Sequence, residues 1–287
     1  MRVAAPTESA EARLGSTTPL TFTLKEQPAV PLEAEMLSPD VLAKLSLGEI
    51  AACPIYVGKR RCRLDDFFSI AGEPSEHIEL HGDLRQVKWI GRKMTFGRIT
   101  VHGGVGMHLG AHMRAGAIEV HGDAGDWIGA EMTGGFIRIH GNAGGQVGAA
   151  YRGSLAGMRG GAIIVDGASG LEVGMRMRRG TIVLGGPSKD FTGLQMKGGT
   201  IVLLRGAEIR TGAWMMRGTI LSLVPLKLLP TFAFDCSQNP VFLNIYARRL
   251  REWGVSLPHA VDKGRYDCYT GDASVPGKGE ILIWQPC

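Results

Sequence analysis

A 19-residue repeat runs through the middle of the chain. Residues 98–218 divide into six consecutive blocks that each end on glycine. Five blocks have 19 residues, and the third has 26 because seven residues are inserted at about residues 151–157. Residues 77–97 form a looser copy, and another copy begins at Thr219. A unit this short cannot hold a helix pair or a propeller blade, so the repeat excludes helical solenoids and β-propellers.

Aligned blocks share fixed positions. The second and fourth residues are aliphatic, and a spacing of two places both on one face of a strand. Thirty of the 42 glycines lie within residues 98–218, and glycine fills the thirteenth and nineteenth positions of all six blocks, where sharp turns favour it. The second-position column is Ile99, Ile118, Ile137, Ile163, Ile182, Ile201 and Ile220, and methionine fills the sixteenth position at Met113, Met132, Met158, Met177, Met196 and Met215.

This pattern predicts an all-β fold, a single-stranded parallel β-helix of about seven 19-residue coils. Adjacent coils would lie about 4.8 Å apart, which gives a rod roughly 30 Å long. Unpaired strand edges at the two ends require caps, so small α/β caps are expected. The predicted organisation is a disordered tail (residues 1–19), an N-terminal cap (20–76), the β-helix (77–235) and a C-terminal cap with a helix and a hairpin (236–287).

Local signals support both caps. Residues 20–26 alternate as a strand does, and Ser38 followed by Pro39 predicts the start of a short helix. A second, amphipathic helix is expected from about residue 240 to a stop at Gly254, and a strand pair at residues 265–270 and 280–284.

The basic excess of the chain lies on the coils. Net charge is +5, and residues 98–218 carry 13 Lys or Arg against 8 Asp or Glu, so that segment accounts for all of it. We call the cations at the last turn of the blocks the basic stripe: Arg114, Arg159 (or Arg152 in the insertion), Arg178, Arg179, Lys197 and Arg217. Like charges in register repel unless something negative lies along them. Three interpretations remain, namely a solvated face, a polyanionic ligand and an acidic neighbouring subunit; nucleic acid is not expected because aromatic residues are not interleaved.

Histidine recurs at the fifth position in His81, His102, His121 and His140. This position should point outward, so the rings are expected to form a near-parallel surface stack, and no metal site is predicted. The acidic residues of the coils gather in no single column, and no nucleophile or phosphate-binding motif is present, so no catalytic residue is assigned. Cys53 and Cys62 are interpreted as structural cysteines.

Compartment signals are modest. The five cysteines form no C-x-x-C pair, which favours a reducing compartment. Residues 1–19 contain no apolar core of a signal peptide, and the most apolar later stretch is broken by Pro225, Lys227 and Pro230. The sequence therefore predicts a cytoplasmic chain without a membrane span.

The chain resembles the C-subunit of formylmethanofuran dehydrogenase from about residue 20 onward. The resemblance rests on the glycine-methionine coils, HIELHGDL at residues 77–84, YTGDASVPGKGEILIW at residues 269–284 and RLDDFFSIAG at residues 63–72. That family shares its β-helix with the C-terminal domain of the glutamate synthase large subunit, which implies a right-handed helix here.

Two settings are implied by the resemblance. In methylotrophic bacteria such a subunit belongs to a formyltransferase/hydrolase complex of tetrahydromethanopterin- and methanofuran-linked one-carbon metabolism, which we favour. The alternative is a molybdenum or tungsten formylmethanofuran dehydrogenase of methanogens. Either implies amidohydrolase-like, formyltransferase and molybdopterin-enzyme-like partner subunits, a non-catalytic role for this chain, no firmly bound cofactor, and possible contact of the basic stripe with a cofactor's polyglutamate tail. An independent β-helix enzyme acting on carbohydrate or acyl groups is the second alternative.

Overall fold

The computed structural model of the protein describes residues 18–262 and 264–286, so nearly all of the predicted tail, residues 1–17, lies outside the described residues. Within them the fold is mostly β. The helices are α1 (Pro39–Leu42), α2 (Leu47–Ala51), α3 (Leu64–Phe67) and α4 (Leu243–Glu252), with a 3-10 helix at His259–Asp262. The strands are β1 (Leu20–Leu24), β2 (Leu32–Glu33), β3 (Pro54–Val57), β4 (Arg60–Arg63), β5 (Phe68–Ala71), β6 (His77–His81), β7 (Val87–Lys88), β8 (Arg98–His102), β9 (Ala117–Val120), β10 (Phe136–Ile139), β11 (Arg159–Val165), β12 (Arg179–Leu184), β13 (Lys197–Leu203), β14 (Arg217–Ser222), β15 (Ala233–Gln238), β16 (Arg265–Gly271) and β17 (Lys278–Gln285).

One large, mostly parallel sheet of 13 strands organises the molecule, in the order β15-β16-β17-β14-β13-β12-β11-β10-β9-β8-β6-β1-β5. Successive repeats pair in register, so that Ile99 lies beside Ile118 and Ile137 beside Ile163. Each repeat also contributes one parallel bridge to a second ladder, through Leu84, Val105, Ala124, Ala143, Ser169, Ser188 and Ala207. Consecutive repeats therefore stack at two places per turn, as the predicted β-helix requires.

The aliphatic and methionine columns form the interior. The isoleucines of the second position and the methionines of the sixteenth are fully buried. Each buried side chain of this size stabilises the fold by about 1.5–3 kcal/mol. Glycine at the nineteenth position permits the close stacking: Gly116 has φ +88, and a Cβ there would lie 2.8 Å from the carbonyl oxygen of Gly97.

One corner of every coil has left-handed backbone at residues other than glycine. These residues fill the eleventh and fifteenth positions of the repeat, on either side of the glycine column at the thirteenth. They are Trp89, Lys93, His108, His112, Trp127, Glu131, Gln146, Glu172, Arg176, Phe191, Gln195, Arg210 and Trp214. We call this the left-handed corner. Bulky residues rarely adopt positive φ, so the hydrogen bonds between coils hold the backbone in this state.

The N-terminal cap covers the first coil. Strand β1 pairs in parallel with β6 and antiparallel with β5, so it extends the large sheet beyond the repeat. Helix α1 begins after Ser38, as the sequence predicts, and the Ser38 hydroxyl accepts a hydrogen bond from the backbone N–H of Asp40. The cap core is continuous with the interior of the coils, since Phe22, Phe68 and Ile99 belong to one cluster of buried residues. Within the cap, Phe22 and Phe68 meet edge to face with 6.2 Å between ring centroids.

The C-terminal cap both extends and covers the coils. Strand β17 lies parallel to β14 with Ile281 beside Ile220, so it forms one further rung. Strand β16 then pairs antiparallel with β17, and β15 pairs antiparallel with β16. Helix α4 packs across the outer face of the later coils and is followed by Gly254 at φ +70. The second hydrophobic core lies beneath it: Ile164, Val183, Val202 and Leu221 from the coils, and Leu243, Ala247, Leu250 and Trp253 from the cap. No helix among the described residues combines the length and apolar character that a bilayer crossing needs.

Candidate functional site

A stack of histidine rings lines the outer face of the first coils. His81 and His102 stack with centroids 4.4 Å apart and an interplanar angle of 13°. His102 and His121 follow at 5.5 Å, and His121 and His140 at 4.9 Å with only 5° between the planes. The predicted near-parallel stack is therefore confirmed. We call these four residues the histidine ladder.

Carboxylates from the third position of the repeat lie against the ladder. Glu79 Oε2 is 3.5 Å from His81 Nε2 and 3.6 Å from His102 Nε2. Glu119 Oε1 is 2.8 Å from His140 Nε2. Burial opposes ionisation of Glu119, but the hydrogen bond from His140 and the neighbouring histidines outweigh it and hold the pKa of Glu119 below its ordinary value. Third and fifth positions share a face, so carboxylates and imidazole rings lie side by side along it.

The ladder ends where the C-terminal cap begins. His140 Nδ1 is 3.0 Å from Asp166 Oδ2, so both ring nitrogens of His140 face carboxylates. Arg138 donates to both Asp166 oxygens at 3.1 Å and to the carbonyl of Trp253 at 2.6 Å. This ionic junction joins the polar part of the outer face to the part under α4.

The structure brings most of the basic stripe together. Arg159 is the register partner of Arg179, and Lys197 is the partner of Arg217. Arg217 is in turn the partner of Lys278 on β17, so the C-terminal cap extends the stripe by one cation. Arg114 lies apart from the others, because the coil between it and Arg159 carries Thr133 at this position.

The stripe cations have no carboxylate partner in the part of the chain that the structure describes. Arg114, Arg159, Arg178, Arg179 and Arg217 are exposed and Lys197 is half-buried. Within residues 18–262 and 264–286 none of the six forms an ion pair; Lys197 Nζ lies 3.5 Å from the carbonyl oxygen of Leu155. Two coil arginines outside the stripe are paired, Arg138 with Asp166 and Arg210 with Asp190. The stripe is therefore a row of cations that no carboxylate among the described residues neutralises.

An aromatic cluster occupies the left-handed corner of the first coils. Trp89 stacks on His108 with centroids 4.0 Å apart, and Trp127 stacks on Tyr151 at 4.9 Å. Tyr151 belongs to the seven-residue insertion, and its hydroxyl oxygen lies 2.9 Å from His108 Nδ1. Burial lowers the pKa of His108 to about 4 and raises the pKa of the Tyr151 hydroxyl. This neutral pair fixes the insertion on the coils.

Cys53, which the sequence suggested as structural, is buried. Burial, reinforced by the nearby Glu49 carboxylate, raises the pKa of its thiol. A raised pKa disfavours the thiolate, so the environment of Cys53 is the reverse of an activated nucleophile.

Sequence reasoning found the ladder and the stripe but missed their neighbours. Glu79 and Glu119 were visible as third-position residues on the same outward face as the histidines. Asp166 replaces histidine at the fifth position one block after His140. Lys278 and Tyr151 could not be found from the repeat, because Lys278 lies on a strand of the cap and Tyr151 lies in the insertion.

Comparison with known proteins gives a consistent result, although no family model matches the chain. Over 95 residues, 31% of this chain, it is 44% identical to the C-subunit of the tungsten-containing formylmethanofuran dehydrogenase 2 of Methanothermobacter marburgensis. Over 83 residues, 28% of this chain, it is 42% identical to the C-subunit of the molybdenum-containing formylmethanofuran dehydrogenase 1 of Methanothermobacter thermautotrophicus. The chain spans 35% and 21% of the length of these two curated relatives.

One solved structure matches almost throughout. It is a chain of the formyltransferase/hydrolase complex FhcABCD from Methylorubrum extorquens, determined by X-ray crystallography in complex with methylofuran. The TM-score is 0.85 at 32% identity, and the match covers 93% of this chain and 100% of that chain. Sequence repeat, sheet topology and both kinds of comparison agree, and the chain belongs to the family of formylmethanofuran dehydrogenase C-subunits, together with their counterpart in the formyltransferase/hydrolase complex.

Proposed function

We propose that the chain is the non-catalytic scaffold subunit of a formyltransferase/hydrolase complex in tetrahydromethanopterin- and methanofuran-linked one-carbon metabolism. The observation that carries the proposal is the match to a chain of FhcABCD over 93% of the length. As the scaffold, the coils form a right-handed β-helix of about seven turns that presents long, straight faces to partner subunits of the amidohydrolase-like, formyltransferase and molybdopterin-enzyme-like classes.

The proposed role of the basic stripe is to hold a row of negative charges. From Arg159 to Lys278 the stripe covers four steps between neighbouring strands, or roughly 19 Å. Its cations have no carboxylate partners among the described residues. A polyglutamate tail of a methanofuran-type cofactor, or an acidic surface of a partner subunit, would supply such a row of negative charges. The solved neighbour was determined in complex with methylofuran, which supports a cofactor of this type as one candidate occupant.

The C-subunit of a molybdenum- or tungsten-containing formylmethanofuran dehydrogenase is the second candidate. The higher identity, 44%, to the tungsten-containing relative favours it, but that match covers only 31% of this chain. The long match to the FhcABCD chain therefore takes precedence. A cytoplasmic setting suits both candidates, because the cross-strand neighbours Cys236 and Cys268 are free thiols.

The test is charge reversal on the stripe. In the Arg178→Glu/Lys197→Glu variant we expect at least a tenfold loss of co-purified partner subunits or of retained cofactor, measured by affinity capture and mass spectrometry. The matched control is Lys189→Glu/Arg205→Glu, which makes the same charge change at exposed positions outside the stripe. Equal capture and equal cofactor content in both variants would exclude the stripe as a binding surface.

The same preparation tests the scaffold role. We expect the purified chain alone to show no formyl transfer or hydrolysis, whereas the reconstituted complex is active. Turnover by the isolated chain would instead support an independent β-helix enzyme.

A further inference from the structure

The outer face of the first coils gathers metal-ligating atoms twice. In the first group Glu79 Oε2 lies between two imidazole nitrogens, 3.5 Å from His81 Nε2 and 3.6 Å from His102 Nε2. An ion bound tetrahedrally at about 2.0–2.1 Å separates its ligand atoms by roughly 3.3–3.4 Å. The group therefore needs only a small inward shift of its side chains to surround an ion.

The second group has the same arrangement as the first and lies two coils further along the chain. Glu119, His121 and His140 place their ligand atoms within 4.8 Å of one another, as Glu79, His81 and His102 do. Both groups combine glutamate at the third position with histidine at the fifth position of the same coil and of the next. The coil between them carries Thr100 at the third position, so the two groups are separate and lie roughly 10 Å apart.

Asp166 gives the second group an additional feature. Its Oδ2 lies 3.0 Å from His140 Nδ1, whereas Nε2 of the same ring faces Glu119 at 2.8 Å. Metal-bound histidines almost always have their second nitrogen held by a carboxylate or carbonyl group, which fixes the ring orientation and makes the ligand more basic. Arg138 in turn holds Asp166 through both carboxylate oxygens.

We propose that the histidine ladder carries two sites for divalent transition-metal ions, each formed by two histidines and one glutamate. Imidazole and carboxylate ligands suit Zn²⁺ and related ions, and three protein ligands leave positions for water or for a group of a partner subunit. At the second site the ion takes the place of the proton between His140 Nε2 and Glu119 Oε1, and that proton is released to solvent.

The charged neighbours of the ladder distinguish these two sites from the basic stripe. The ladder lies on the outward face of the large sheet, and the cations on the same face, Arg98 and Arg138, lie close to the carboxylates. The carboxylates thus have cationic neighbours already, and binding depends on the histidine nitrogens. We therefore expect selectivity for Zn²⁺, Co²⁺ or Ni²⁺ over Mg²⁺ and Ca²⁺, which prefer oxygen ligands.

The test is titration of the metal-free full chain with ZnCl₂ by calorimetry, and with CoCl₂ by visible absorption. Wild type should bind two ions, Glu79→Gln and Glu119→Gln one each, and the double variant none. Asp166→Asn should weaken only the second site, by about 10–100-fold. His108→Gln, a histidine outside the ladder, is the matched control and should keep both sites.

Three results would overturn the proposal. One is wild-type affinity weaker than a Kd of about 1 mM for both ions. The second is unchanged stoichiometry in the Glu79→Gln/Glu119→Gln variant, which would place any bound ion elsewhere. The third is equal binding of Mg²⁺ and Zn²⁺, which would indicate nonspecific attraction to carboxylates. Circular dichroism of each variant confirms that it is folded, and His102→Gln and His140→Gln serve as replacements if either glutamate variant is not.

Discussion

The outer face of one continuous sheet is built in two different ways. In the first coils the third and fifth positions carry charged and polar groups, with Glu79 and Glu119 beside the histidine ladder. In the later coils the third position is apolar and lies under α4, as Val183 and Val202 show. Inner columns are the same throughout. The repeat therefore fixes the interior, while each outer column is free to match whatever covers it.

The junction between the two parts is ionic on one side and apolar on the other. Arg138 reaches from the ladder to the carbonyl of Trp253 at the end of α4, and the Phe136 ring packs near the Trp253 ring. Helix α4 covers the sheet only up to this point, because the third position of the repeat is charged at Arg138 and becomes aliphatic at Ile164. A single column of the sequence thus determines how far the C-terminal cap extends.

The largest expected effect is that of a charge placed under the helix. Val202 is fully buried, and Val202→Asp buries a carboxylate without a partner, which should lower the free energy of unfolding by more than about 4 kcal/mol or prevent folding. Urea denaturation followed by circular dichroism measures it. The equivalent third-position change on the open face, Glu79→Gln, should cost less than about 1 kcal/mol. Similar losses in the two variants would contradict the division of the face.

Removing apolar contact from the helix itself should cost less. Leu250 of α4 is 1% exposed, and Leu250→Ala should lower the free energy of unfolding by about 2–4 kcal/mol through lost burial and a cavity. Ile245 on the same helix is 68% exposed, so Ile245→Ala is the matched control and should change stability by less than about 0.5 kcal/mol. If both substitutions had the same effect, α4 would not be seated on the coils as described.

A smaller effect is expected from pH, and it arises away from both parts of the outer face. Burial lowers the pKa of His108 from 6.5 to about 4, so between those values the unfolded chain binds a proton that the folded chain does not. Stability should therefore rise as pH increases from 4 to 6.5, by about 1–2 kcal/mol for this half-buried ring. The His108→Gln variant should lose that part of the slope in urea titrations at several pH values. An unchanged slope would show that His108 is accessible to protons in the folded state.

The smallest effect is expected within the ladder. His121→Gln removes one ring from a solvent-facing stack and should lower the free energy of unfolding of the metal-free chain by less than about 1 kcal/mol. Differential scanning calorimetry in the presence of a chelator measures the change. A loss above about 2 kcal/mol would mean that the stack, like the apolar column under α4, holds the sheet together.

Much of the fold could be predicted from the sequence because its signals are periodic. Isoleucine at the second position and methionine at the sixteenth identify the interior, and Ser38 and Gly254 mark helix ends through local chemistry. The apolar third-position column in the later coils is also periodic, and it indicates an outward face that another element must cover. Which element supplies that cover could not be predicted, since the packing of α4 depends on contacts far apart in the chain.

The site was less predictable for physical reasons. The histidine column gave the stack, but its relation to Glu79 depends on side-chain directions from two columns at once. The left-handed residues could not be foreseen at all, because Trp, His, Glu and Arg have no preference for positive φ. Their conformation is imposed by the coils above and below. Tyr151 reaches His108 only because an insertion of seven residues folds back across the corner.

The left-handed corner bears on how the molecule unfolds. Thirteen residues other than glycine hold positive φ there, each at a cost of about 1 kcal/mol or more. A single coil released from its neighbours would lose the hydrogen bonds that impose this backbone and would relax at once. Partial unfolding that leaves isolated coils intact is therefore unfavourable, and the stack should melt in one concerted transition rather than fray coil by coil.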